Sequence, residues 1–337
     1  MLAAVLTDQP QQLEVAQVVE PEPAPGEVLL GVSACGICGS DLHIAGVIGS
    51  PGTILGHEIT GIVEALGPDV DPGAWKVGQP VVARPLSGCG TCRWCVGGRP
   101  DHCDSFALIG LDRPGGFAER LAVSADELFA LPTRLMGPEL ALVEPLAIAR
   151  RALRRTALEA GEVVAISGAG PIGLATLVWA RALGAGPIVI SDPAASRREL
   201  ALQLGADAAV DPREESLGEG TIRVTGGRPA AVVECSGRAE TIAEGMDHVK
   251  VDGRVTIVGI CLTTAEIVPF AGLVKELDLR FSLYYGKVDF TDTLDAIDAG
   301  ALDPALLLTE TVTLGQLPER FARLAEDPQG GKIAVTP

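Results

Sequence analysis

Positive charge is the first thing this sequence lacks. Its 337 residues carry 26 basic and 44 acidic side chains, for a formal net charge of −18. A surface of that sign repels nucleic acid and anionic membrane, so neither is expected as a partner. Long apolar runs are missing too. Charges, glycines and prolines interrupt every stretch of membrane-spanning length, so no transmembrane helix is expected. The opening MLAAVLTDQP has no basic residue and too short an apolar run for a secretory signal, and the expected location is the cytoplasm. Eight cysteines there do not read as a disulfide framework, so their spacing must be read for metal. Histidines number only four: His43, His57, His102 and His248.

The length suits about two domains, and 47% hydrophobic residues can fill two cores. Residues 1–144 contain short β-branched runs such as EVLLGV (27–32) and ITGIVEAL (59–66) between turn signals, which reads as an irregular β-rich domain. From 145 to about 285 the texture alternates. EVVAISGAG (162–170) is a buried-strand pattern, IGLATLVWARALG (172–184) has helical length, and PIVISD, SRRELALQLGA, AAVVECSG and RVTIVG continue the alternation. Continuous apolar strands separated by helices indicate a parallel sheet covered on both faces, an α/β arrangement. Residues 286–337 return to mixed short elements and are expected to rejoin the first domain.

Cys89, Cys92, Cys95 and Cys103 fall in CGTCRWCVGGRPDHC. Pairs separated by two residues aim both sulfurs at one point, and four thiolates complete a closed tetrahedral zinc site with a structural task. An iron–sulfur cluster accepts the same ligands. His102 lies inside this segment, and a surface loop position suffices for it.

GAGPIG places Gly168, Gly170 and Gly173 in a G-x-G-x-x-G, with Pro171 and Ile172 between the last two. The hexapeptide alone is a weak signal. Its context strengthens it: it follows a strand pattern, opens a helix pattern, and Asp192 ends the next strand. The glycines serve the tight turn, backbone approach to a pyrophosphate and close helix packing. Pro171 suits the first helical position, and the helix N-terminus offers amides to phosphate. Asp192 is expected on the adenosine ribose, which favours NAD. Arg197 and Arg198 leave NADP open, with a solvated helix face as their plainer reading.

A catalytic zinc keeps about three protein ligands and one open position. Cys38, His57 and Glu144 suit such a set, although CxxC and GHE would not carry it alone. The order of CGICGSDLH, GHEITGIVEALG, the cysteine segment, EPLAIA, GAGPIG and GGKIAVTP resembles zinc-dependent medium-chain alcohol dehydrogenases of the sorbitol and threonine dehydrogenase branch, over essentially the whole length. The resemblance implies a GroES-like catalytic domain (1–144 with 286–337) and a doubly wound Rossmann domain (145–285). It implies that Cys38 and His57 bind a catalytic zinc, with Glu144 as a direct or water-linked third ligand and Glu58 as a nearby carboxylate. Asp41 would orient His57, and Ser40 and His43 would relay a proton. Cys35 would be a packed bystander. Cys235 and Cys261 are expected in the core and His248 on a helix surface. Polyol dehydrogenases of this branch carry an arginine near RFSLYYG, where this chain has Tyr284. Ile44 and Ala45 stand where aromatics are common, which suggests a roomier or more apolar pocket.

The expected activity is reversible hydride transfer between NAD and a secondary alcohol, polyol or amino alcohol, with two zinc ions per chain. A carbonyl reductase using NADPH has the same sites. A non-catalytic nucleotide-binding protein would not need the metal residues. A homodimer or homotetramer is expected.

Overall fold

The computed structural model describes residues 1–132, 134–326 and 330–337. It contains two main sheets. One holds seven strands in the order Leu308–Thr313, Lys332–Thr336, Glu27–Gly36, Glu58–Leu66, Pro80–Ala83 and Leu128–Ala130, with Arg120–Ser124 also paired to Glu27–Gly36. All its pairings are antiparallel except that of Leu308–Thr313 with Lys332–Thr336. The Glu27–Gly36 strand is central. Its alternating buried residues Val28, Leu30, Val32 and Ala34 face the core, as expected of a strand covered on one side.

The other sheet is parallel and six-stranded: Ala208–Val210, Ile188–Ser191, Val164–Ser167, Ala231–Glu234, Arg254–Ile257 and Asp278–Phe281. Numbered along the chain within this sheet, the order is 3-2-1-4-5-6. That is the doubly wound arrangement, whose strand order reverses between Val164–Ser167 and Ala231–Glu234. These central strands are buried on both faces, and Val164, Ala165, Ile166, Ala231, Val232 and Val233 have no exposed surface. Ligands of such sheets sit beyond the carboxyl ends of the strands at the reversal.

The helix Val143–Thr156 spans position 145, where the boundary between the two parts is expected. Three expectations need correction. Ile44 and Ala45 are buried in the core of the mixed sheet, where bulk is set by packing and not by a ligand pocket. Cys261 lies in a loop beyond the Arg254–Ile257 strand, its thiol donating to Thr263 O, because the chain has already left the core. His248 ends the helix Ala239–His248 half-buried, with its ring stacked against Gly218, where a Cβ would stand 2.4 Å from Nδ1. No helix among the described residues is long and apolar enough to cross a membrane.

Candidate active site

Cys38 caps the helix Gly39–Val47, and Asp41 in its first turn accepts the Cys38 backbone N–H at 2.9 Å. The same carboxylate is fully buried, and its Oδ1 lies 3.3 Å from His57 Nδ1. The carboxylate is placed to orient the ring, whose Nε2 lies 3.3 Å from Ser40 Oγ. Burial lowers the His57 pKa, but the Asp41 charge and hydrogen bond, with Cys38, hold it well above the ordinary histidine value.

Ligand atoms of Cys38, His57 and Glu58 lie within 4.8 Å of one another, a spacing that fits one metal ion. Glu58 begins the strand Glu58–Leu66 and is fully buried. One of its oxygens accepts from Lys332 Nζ, and the other, Oε2, has no hydrogen-bond partner among the described residues. An orphaned buried carboxylate oxygen beside a thiol and an imidazole suits a borderline cation such as zinc. Glu144 is outside that cluster. It sits in the first turn of the helix Val143–Thr156, lines the same cavity and is buried. Burial pushes its pKa up, opposed by the charge of His57. The fully buried Tyr285 interacts electrostatically with Glu144.

Spacing did not reveal Lys332. It is 2% exposed, donates to Ile37 O at 3.2 Å as well as to Glu58, and is held positive by its partners although burial opposes it. Cys35 is fully buried in the core of the mixed sheet. Cys235, half-buried, lines the cavity beside Ser236 where the parallel sheet reverses.

The glycine turn closes the opposite wall. Gly168 has φ +91°, and a Cβ there would stand 3.0 Å from the Ser236 backbone. A Cβ on Gly173 would stand 1.8 Å from Gly168 O, so the helix Pro171–Ala182 starts where only glycine fits. A Cβ on Gly170 would meet only Arg197 Nη1, at 3.9 Å, leaving that amide open to a ligand. Pro171 and Ile172 line the cavity. Asp192 is 3% exposed. Its Oδ2 accepts from Ala169 N at 3.0 Å and its Oδ1 from Ala194 N at 2.8 Å, so it ties the glycine turn to the next strand. Arg197 and Arg198 do not form a solvated helix face. Arg197 Nη1 lies 3.4 Å from Asp192 Oδ2, and Arg198 bonds Asp192 O and pairs with Asp211.

The four cysteines of the 89–103 segment also gather, their sulfurs within 4.8 Å of one another. Backbone amides donate to them: Cys92 N to Cys89 Sγ at 3.3 Å, Cys89 N to Cys103 Sγ at 3.4 Å and Ser105 N to Cys103 Sγ at 3.3 Å. Such bonds favour thiolates. Hydrogen bonds from Thr91, then from Cys92, bring the Cys89 thiol down to about 6. His102 is half exposed against Trp94, with ring centroids 5.0 Å apart, and takes no part in the cluster.

Two family profiles match: an alcohol dehydrogenase GroES-like domain over residues 24–133 and a zinc-binding dehydrogenase over 171–299. A 2-dehydro-3-deoxy-L-galactonate 5-dehydrogenase of Pseudoalteromonas atlantica is 37% identical over 318 residues, 93% of this chain and 92% of that protein. The chain belongs to the zinc-dependent medium-chain alcohol dehydrogenases. A zinc-binding dehydrogenase of Sinorhizobium meliloti solved with NADP superposes with a TM-score of 0.91 at 33% identity, covering 100% of this chain and 99% of the other. A dehydrogenase of Escherichia coli solved with NADH gives 0.92 at 26% identity, with 100% and 99% coverage. This dehydrogenase is therefore an oxidoreductase with a GroES-like part and a Rossmann part.

Proposed function

We propose that this dehydrogenase oxidises a secondary alcohol to a ketone with NAD, reversibly. The observation that carries the reading is a single cavity of about 310 Å³ lined by Cys38, His57 and Glu144 on one side and by Gly170 and Pro171 on the other. In this reading Cys38, His57 and Glu58 hold the catalytic zinc, and Glu144 lines the same cavity beside them. Zinc at that position supplies the Lewis acidity that makes an alcohol proton removable near neutral pH. Ser40 Oγ takes that proton, and His43, exposed at the mouth of the cavity, passes it to solvent. The glycine turn orients the nicotinamide to receive hydride. Asp192 and Arg197 hold the adenosine end, and the Asp192 charge disfavours a 2′-phosphate. The 89–103 segment binds the second, structural zinc.

The assembly is a homodimer or a homotetramer, in the cytoplasm. Eight free cysteines accord with a reducing compartment. The strand Asp278–Phe281 is an edge of the parallel sheet, and Phe281 is 63% exposed. Such an edge invites symmetric pairing with a second copy. The reading is tested by zinc content and NAD reduction with secondary alcohols, for the wild type and Cys38→Ser. Two zincs falling to one, with loss of activity, supports it. One zinc in both proteins overturns it.

A further inference from the structure

The helix Val143–Thr156 carries four arginines in its second half, and they fall in two stripes. Residues four apart share a helix face. Arg150 and Arg154 form one stripe, and both are paired with the helix Lys287–Asp298. Arg150 meets Asp292 at 2.8 Å and Arg154 meets Asp289 at 2.7 Å. Arg151 and Arg155 form the other stripe. The Nε of each is buried without a hydrogen-bond partner, and neither side chain has an ion pair among the described residues. Arg151 is only 8% exposed. A guanidinium stays charged throughout the pH range of a folded protein. Arg151 is therefore a buried cation without an anion, a costly arrangement unless something completes it.

The surrounding charges do not supply the missing anion. Burial, with the charges of Arg99, Arg154 and Arg155, pulls the Arg151 pKa below the ordinary arginine value, and Asp289 opposes them. Both Asp289 oxygens are taken by Arg154, and Oδ2 also accepts the Gly286 N–H. Asp101 is engaged by Arg99, whose Nε lies 2.9 Å from its Oδ1. The chain has 44 acidic side chains against 26 basic ones, yet none among the described residues pairs with Arg151 or Arg155. The place is distinct from the zinc cavity, which Arg151 does not line, although it stands two turns, about 10 Å, along the same helix from Glu144. The donors select the ligand. Each guanidinium offers a planar fork that matches an oxyanion bidentately, and forks one turn apart can converge on one ion. The low exposure of Arg151 favours an ion without a bulky substituent.

We propose that Arg151 and Arg155 form a binding site for a small phosphate-like oxyanion, apart from the zinc and cofactor cavity. The anion supplies the counter-charge that the fold lacks there. Once bound, it offsets the repulsion between the helix that carries Glu144 and Arg99 of the cysteine segment. No bond is made or broken at this site.

The test is equilibrium dialysis of the zinc-loaded protein against labelled inorganic phosphate. Saturating NADH keeps phosphate off the glycine turn, and chloride holds the ionic strength constant. One phosphate per chain is expected for the wild type. Arg151→Met keeps an unbranched apolar stem and should weaken binding about tenfold or more, the worth of a charge-assisted hydrogen bond. Arg155→Met should weaken it too. Glycerol phosphate is measured beside the free ion. Weaker binding of the ester assigns the site to free phosphate, and tighter binding assigns it to a phosphorylated metabolite; either supports the site if it depends on Arg151. Thermal unfolding gives a second reading. Phosphate should raise the melting temperature of the wild type more than that of Arg151→Met. In chloride alone Arg151→Met should melt no lower than the wild type, because it removes an unpaired buried charge. Absent phosphate binding, or binding insensitive to both substitutions, overturns the site. So does an Arg151→Met protein that melts well below the wild type in chloride, since the guanidinium then already has a partner. A lower molar mass of that variant by light scattering would show the partner to be a second copy of the chain.

Discussion

Asp41 Oδ1 lies 3.3 Å from His57 Nδ1 while its Oδ2 holds the Cys38 backbone N–H. One buried carboxylate thereby sets the position of two proposed zinc ligands. Asp41→Asn keeps the size but gives up the charge and one acceptor. Losing such a partner typically weakens metal binding about 10–100-fold. Chelator competition should show this loss at one of two zincs, with the cysteine cluster unaffected.

Lys332 and Glu58 are both fully enclosed and ion-paired. Lys332→Met leaves the carboxylate buried without its cation, which should destabilise the metal-free protein by about 3–5 kcal/mol. Adding Glu58→Gln should restore much of that stability. Urea denaturation of wild type, single and double variants checks the sign and the recovery.

The two glycines of the turn separate stability from binding. Gly173→Ala pushes a methyl into Gly168 O and should cost about 1–3 kcal/mol in unfolding free energy. Gly170→Ala meets only ordinary contact with Arg197 and should fold within about 0.5 kcal/mol of wild type. Its methyl stands where the proposed cofactor's backbone approach occurs, so NADH affinity should fall about tenfold or more. Thermal unfolding and NADH titration distinguish the two outcomes.

The cysteine cluster should load zinc in a pH-dependent way. Metal needs thiolates, so protons compete with it as pH falls. With the Cys89 thiol drawn down to about 6 by Thr91 and Cys92, it is ionised above that pH and protonated below. Burial meanwhile pushes the Cys95 thiol up to about 12, so zinc content should fall steadily as pH drops in the presence of a chelator.

The proposed self-association has its own test. Phe281 is the exposed end of an edge strand. Phe281→Asp should lower the molar mass measured by light scattering towards that of one chain, whereas a change at exposed Val19, away from the edge, should not.

Features carried by local spacing were legible in the sequence. Four cysteines in one short segment, and a glycine turn between a strand and a helix, each declare themselves within a few residues. The alternation of apolar runs foretold the parallel sheet, because its strands are buried on both faces. Features made by distant partners were not legible. Lys332 meets Glu58 across 274 residues, and no pattern around either announces the other. Glu58 clusters with Cys38 and His57 while Glu144 does not, a distinction that sequence spacing cannot carry. Arg197 and Arg198 occupy exposed-looking helix positions, but the buried Asp192 draws them in. Cys261 follows a core strand by only a few residues, enough to leave the core.

The pairing of Lys332–Thr336 with Glu27–Gly36 also bears on how the protein is made. The lysine beside the proposed metal ligands emerges about 295 residues after Ile37, whose carbonyl it holds. During synthesis the Rossmann strands can pair while the first sheet still lacks this member. Until Lys332 has emerged from the ribosome, Glu58 lacks this counter-ion. The nascent chain would therefore carry a formed nucleotide fold before a finished metal pocket, and zinc acquisition at Cys38 and His57 would be a late event in its maturation.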